Sequence, residues 1–257
     1  MPLICHQFRY NDDNYGFLVH DPDTDQTAAI DAGCASSYQE ALVQTGYKLT
    51  HIFITHHHWD HTDGLAALKE AHQATVIGPG KDTKPHISEL IDHPVTNHSS
   101  FKFGRAVFQV IATPGHTLDM VNYYCADENM LFSGDSLFVL GCGRLFEGNP
   151  PMMWQSLSLL KSLPPSTIIY SAHEYAESNA AFAAVIEPNN QALRERIDII
   201  AAKRDKGEPT VPSLLSEELD TNPFLRADQH ELQSAVNMIG STAEDVFATI
   251  RARKDKF

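Results

Sequence analysis

The stretch Thr55-His56-His57-His58-Trp59-Asp60-His61-Thr62-Asp63-Gly64 crowds imidazoles and carboxylates into ten positions. It follows His51-Ile52-Phe53-Ile54, a short β-branched and aromatic run that reads as a buried strand. Side chains alternate in an extended segment, so His56 and His58 are expected to point one way and His57 the other. Asp60 and His61 fall at the turn into a helix expected from about Thr62, where they reach a second point nearby. Two histidines and an Asp-His pair at one strand end point to two adjacent metal sites. Imidazole and carboxylate donors suit zinc, iron or manganese. The plain alternative is a polar loop with a helix cap, which one lone histidine would favour and this whole pattern does not.

The pattern His56-x-His58-x-Asp60-His61 resembles the motif of the metallo-β-lactamase superfamily, and further pieces match in order. Thr113-Pro114-Gly115-His116-Thr117 offers a histidine. Phe132-Ser133-Gly134-Asp135-Ser136 offers a carboxylate, and Ser171-Ala172-His173-Glu174-Tyr175 a last histidine. Each follows an apolar stretch (106–111, 130–132 and 167–170), so each is expected at a strand's end, where loops from a rigid scaffold converge. The resemblance implies one metal on His56, His58 and His116, a second on Asp60, His61 and His173, and Asp135 between them. It also implies that Asp31, in Asp31-Ala32-Gly33, supports the metal loops from behind.

The elements that must position these residues read as strands and hairpins over 1–35, with Asp21-Pro22-Asp23 as a turn. A helix is expected over 36–46, capped by Ser36 or Ser37 and stopped by Gly46. The segment 81–100, with His86, His93 and His98, reads as a solvated loop. A hairpin over 101–111, a strand pair 120–125 and 130–132, a helix 152–163 and a strand 167–170 follow. From about 174 the pattern turns helical: 174–186, 190–206, 213–219, 227–238 and 243–254. Strands followed by helices predict an α+β chain of two domains. These are 1–173, for which the resemblance implies an αββα metallo-β-lactamase sandwich, and 174–257, a small C-terminal α-helical domain that binds substrate.

With 257 residues the chain is long enough for a sizeable core. Its 33 acidic and 19 basic residues give a net charge of −14, which argues against nucleic acid as a partner. No apolar run approaches a membrane span. Cys5, Cys34, Cys125 and Cys142 are scattered, as in a cytoplasmic protein with reduced thiols. Cys142 reads first as a small packing residue. A monomer is expected.

Beyond the metal loops, Gly141-Cys142-Gly143-Arg144-Leu145-Phe146-Glu147-Gly148, Ala172-His173-Glu174-Tyr175, Asn222-Pro223-Phe224-Leu225-Arg226 and Arg251-Ala252-Arg253-Lys254-Asp255-Lys256-Phe257 resemble the glyoxalase II (hydroxyacylglutathione hydrolase) family. The likeness spans nearly the whole chain, and its tail is independent of the metal motifs. It implies hydrolysis of the thioester S-D-lactoylglutathione, and of other 2-hydroxyacylglutathiones, to D-lactate and glutathione. This is the second step of methylglyoxal detoxification. The nucleophile is a hydroxide bridging two divalent ions, held by Asp60 and Asp135. Zinc is expected first, with iron or manganese as substitutes. The substrate is a small glutathione thioester whose peptide carries two carboxylates. The resemblance assigns its contacts to Arg144, Phe146, Tyr175, Arg251 and Lys254; the last two stand three apart on one helix face. Without the resemblance, the bases of the tail read as a solvated helix end that complements the helix dipole.

Three positions depart from the family pattern: Phe146 where many relatives carry Tyr, Trp59 inside the metal motif, and Asp119 where Gly is usual. Two other readings compete. One is a mononuclear-iron glutathione persulfide dioxygenase of the same superfamily, which the basic tail disfavours. The other is a non-catalytic metalloprotein that binds glutathione conjugates, against which the full set of seven donors speaks.

Overall fold

A computed structural model describes residues 1–80 and 82–257. The chain forms two compact units, Met1–Ala112 with Thr117–Gly134, and Thr113–His116 with Asp135–Phe257.

The first unit runs β1 (Ile4–Tyr10), β2 (Asn14–Asp21), β3 (Gln26–Ile30), α1 (Ala35–Thr45), β4 (Leu49–Phe53), α2 (Trp59–Thr62), α3 (Leu65–His72), β5 (Thr75–Pro79), α4 (Pro85–Ser88), β6 (His93–Val95), β7 (Ser100–Phe103), β8 (Ala106–Ala112), β9 (Val121–Cys125) and β10 (Met130–Gly134). Strands β1 to β6 form one sheet in chain order. The β1–β2 and β2–β3 pairs are antiparallel, and β3 to β6 are parallel. Parallel neighbours need crossovers, which α1 and the α2–α3 segment supply. Strands β10, β9, β8 and β7 pair antiparallel in that order. Alternation along β4 explains how both of its faces are used. Phe53 packs against Phe101, Phe108 and Tyr123 at centroid distances of 4.9, 5.4 and 5.4 Å. Ile52 points the other way, into a cluster with Tyr38, Leu42, Leu65 and Leu68 from α1 and α3.

Several boundaries differ from the sequence reading, each for a local reason. Helix α1 stops at Gly46 as expected, in the left-handed region at φ 73°. Its N-cap is Cys34 rather than Ser36 or Ser37, whose hydroxyls lie 3.3 and 3.2 Å from the Cys34 thiol. Those contacts hold the thiol below its ordinary pKa. The helix expected from Thr62 is two pieces, because Gly64 donates its N–H to Ala32 and packs so tightly that a Cβ would lie 2.5 Å from Ala35 N. The expected loop over 81–100 holds the turn α4, started by Pro85 at its first position, and the short edge strand β6 paired with β5. Lys81 lies outside the described residues. His86, His93 and His98 are exposed.

The second unit holds β11 (Leu137–Phe138), β12 (Gly141–Cys142), α5 (Pro150–Lys161), β13 (Ile168–Ser171), α6 (Ala176–Ile186), α7 (Gln191–Asp205), β14 (Ser213–Leu214), α8 (Leu215–Thr221), α9 (His230–Ala235) and α10 (Ala243–Lys254). The helix expected over 213–219 begins two residues late, since Ser213–Leu214 pair with β13 as β14. Phe247 of α10 meets Trp154 of α5 at 6.1 Å and Phe224 at 6.0 Å. Glu218, fully buried on α8, takes Arg196 as its ion partner and accepts from Leu140 N at 2.9 Å and Asn222 Nδ2 at 3.0 Å. A buried charge with this many donors is compensated rather than stranded. Among the described residues no helix is long and apolar enough to cross a membrane.

Candidate metal centre

In the first unit, His56, His58, Asp60 and His61 leave the end of β4 and enter α2. His56 Nδ1 lies 3.0 Å from the Thr55 hydroxyl, and its Nε2 lies 3.1 Å from His58 Nδ1. His61 Nδ1 lies 2.8 Å from Asp31 Oδ2, which leaves Nε2 on the side of Asp60, 3.5 Å from its Oδ2. An oxygen on one ring nitrogen fixes the tautomer and turns the other nitrogen toward a cation. Asp31 also accepts from Thr55 N at 2.7 Å and from the Thr55 hydroxyl at 3.0 Å. It adopts φ 60°, a conformation uncommon outside glycine. One carboxylate thus holds both ends of the histidine loop. Asp60 is oriented by Asn14, whose Nδ2 donates to Oδ2 at 3.1 Å, and by Tyr10, whose hydroxyl donates to its carbonyl at 2.9 Å. Gly33 permits this packing, since a Cβ there would fall 1.8 Å from Asp60 O. His57 points away from this group, as alternation predicts, onto Asp119 at 2.9 Å.

In the second unit, Asp135 places Oδ2 3.3 Å from His116 Nε2 and Oδ1 3.3 Å from His173 Nε2. One carboxylate divided between two imidazoles is the arrangement a bridging ligand needs. His116 Nδ1 is fixed by the carbonyl of Arg144 at 2.8 Å. His173 stacks flat on Tyr175, at 4.7 Å and 4°. Gly143 lets the chain pass this close; a Cβ there would meet Asp135 O at 2.1 Å.

Among the described residues, the side chains whose donor atoms could hold a metal ion are His56, His58, Asp60 and His61 in the first unit and His116, Asp135 and His173 in the second. No cysteine belongs to them. The Cys142 thiol is pushed up to about 11 by burial, and Arg251 lies beside it. Imidazole and carboxylate donors without thiolate fit zinc, iron or manganese.

The remaining predicted residues sit in the second unit. Arg144 is exposed, 3.8 Å from Asp255, with its guanidinium 5.9 Å above the Phe146 ring. Phe146 is also exposed and meets His116 edge-on at 5.2 Å. Arg251 is buried; it donates to the Cys142 carbonyl at 3.1 Å and to Asp255 at 2.9 Å. Lys254 donates to Ser178 O at 2.9 Å and lies 5.3 Å over the Phe182 ring. Burial, and then the charge of Arg251, lowers the Lys254 pKa to about 8. The sequence does not reveal Asn14, Tyr10, Thr55 or Asp255 as contributors.

Comparison with known proteins gives this site its family. A profile of the Metallo-beta-lactamase superfamily matches residues 13–173, and one of the Hydroxyacylglutathione hydrolase C-terminus matches residues 174–257. The curated Hydroxyacylglutathione hydrolase of Bartonella henselae is 46% identical, over 99% of this chain and 100% of that protein. That of Ruegeria pomeroyi is 46% identical over the full length of both. The chain belongs to the hydroxyacylglutathione hydrolase family. Its fold is the metallo-β-lactamase fold followed by that family's C-terminal region, an α+β architecture as predicted. The crystal structure of ETHE1 from Myxococcus xanthus superposes with a TM-score of 0.66 at 27% identity, over 98% of each chain. The crystal structure of TTHA1623 in a di-iron-bound form gives 0.61 at 26% identity, over 86% of this chain and 100% of that one.

Proposed function

We infer that the chain is a metal-dependent hydrolase of glutathione thioesters, with S-D-lactoylglutathione as its first substrate. The observation that carries this reading is the pairing of the full His/Asp donor set with a tail matched over 174–257 to the hydroxyacylglutathione hydrolase C-terminus. The same tail sets it apart from the dioxygenase reading. We assign one divalent ion to His56, His58 and His116 and a second to Asp60, His61 and His173, with Asp135 shared. Zinc is the first choice; the di-iron form of TTHA1623 keeps iron in view.

Bound divalent ions supply water acidified to near neutral pH and a Lewis acid for the thioester carbonyl. The protein's own residues supply the rest. Asp31 and Thr55 fix the rings of His61 and His56. Asp60, held by Asn14, is placed to accept a hydrogen bond from the attacking water. Asp135 places one oxygen 3.3 Å from His116 Nε2 and the other 3.3 Å from His173 Nε2, so it would be shared between the ions that these two nitrogens hold. The leaving group is a thiolate of ordinary pKa about 8.5 and needs little protonation. That is consistent with the absence of any side-chain acid assigned to it. Arg144, Arg251 and Lys254 supply positive charge for the peptide carboxylates. Phe146 and Tyr175 supply aromatic walls.

We place the division of labour at 173/174, metal chemistry before it and peptide binding after it. Four free thiols favour a reducing, cytoplasmic setting, with the chain acting as a monomer. The test is release of free thiol from S-lactoylglutathione by protein reconstituted with zinc, iron or manganese, beside elemental analysis. Turnover with about two ions per chain is expected. No turnover with any of the three metals overturns the reading.

A further inference from the structure

Asp119 is a fully buried carboxylate lying outside the donor sets. Its Oδ1 accepts from the Thr117 hydroxyl at 2.7 Å and lies 2.9 Å from His57 Nδ1. Its Oδ2 has no hydrogen-bond partner among the described residues. Leaving a carboxylate oxygen buried without a donor is costly, so the side chain must be kept for its other oxygen.

What that oxygen holds is the middle of the histidine loop. Val121 N donates to Thr55 O at 2.9 Å, a backbone tie between the start of β9 and the start of the loop. The hydroxyl of Thr62 on α2 donates to His58 O at 2.8 Å and holds the far end. Between these ties the Thr62 hydroxyl also approaches His57 O at 3.4 Å, and the contact of Asp119 with the His57 ring adds a side-chain hold at the middle of the segment that carries His56 and His58. His57 points to the opposite side from its two neighbours, so fixing its ring fixes their direction. We propose that Asp119 is a positioning residue, which sets the angle at which His56 and His58 present their nitrogens by gripping His57. This rests on the reading of His56 and His58 as metal ligands.

The test is competition for zinc between the loaded full-length protein and a chromophoric chelator, with circular dichroism melts to establish folding. Asp119→Ala and His57→Ala are each expected to weaken zinc retention about tenfold, in the range found for residues that support metal ligands. The double variant is expected to lose no more than either single one, since both remove the same contact. His57→Asn, whose amide nitrogen takes the place of Nδ1, is expected to recover most of the loss. Wild-type retention in Asp119→Ala, or losses that add in the double variant, overturns the proposal. If Asp119→Ala does not fold, His57→Ala and His57→Asn decide it: equal retention in the two overturns the proposal, and rescue by Asn supports it. A wild-type protein that holds zinc yet leaves the thioester intact overturns the functional reading alone. Zinc retention unchanged in both alanine variants overturns this inference alone.

Discussion

The histidines of the metal loops and the cations of the tail are held by different means. His56, His61 and His116 each have one ring nitrogen set on an oxygen, from Thr55, Asp31 and the Arg144 carbonyl. Those contacts are short and largely buried, so the donor atoms are placed before any ligand arrives. The cations are held more loosely or spent internally. Arg251 is committed to the Cys142 carbonyl and to Asp255, Lys254 leans on Ser178 and two aromatic rings, and Arg144 stands exposed. The difference matches the tasks we assign to them. Metal donors must meet a fixed coordination geometry, whereas a flexible peptide carboxylate tolerates a cradle that adjusts.

The sharpest way to break this comparison is at Asp135. Asp135→Ala removes the carboxylate shared by His116 and His173. Losing several kcal/mol of metal-supplied stabilisation corresponds to about a 10³-fold fall in kcat for thiol release. Asp31→Asn comes next. Asn tolerates the left-handed backbone at this position but removes the charge facing His61, so zinc affinity should fall about 10- to 100-fold by chelator competition. Arg144→Ala should raise KM about tenfold and leave kcat unchanged, the result of losing one charge-assisted contact shared by ground and transition states. The smallest effect is a pH dependence. Lys254 carries its charge below its pKa of about 8 and loses it above. KM for the anionic substrate should therefore climb a few-fold from pH 7 to 9, and Lys254→Ala should flatten that rise. If kcat rather than KM moved in the last two, the contrast between a fixed centre and an adaptable cradle would fail.

Much of this was legible in the residues because the relevant periods are short. Alternation placed His57 opposite His56 and His58, and the apolar runs ending at 111, 132 and 170 put His116, Asp135 and His173 just past strands. What escaped depends on contacts between distant segments. Nothing near Gly64 announces that Ala32 and Ala35 press against it and split the helix expected there. Nothing around Glu218 marks it as buried, since its partners Arg196 and Leu140 lie 22 and 78 positions away. Asp119 was visible as an unusual residue, but its partner His57 is 62 positions earlier. The short strands β11, β12 and β14 are two residues each, too brief for any periodic signal.

Arg144 serves both regions at once: its carbonyl sets the ring of His116, while its guanidinium faces Asp255 past the end of α10. An exposed ion pair is worth little by itself, so removing its acidic member is expected to loosen the guanidinium while the carbonyl still holds the imidazole. A protein clipped of its last few residues should therefore keep its metal and bind the peptide poorly: the far terminus tunes the reach of a cation and leaves the reactive centre alone.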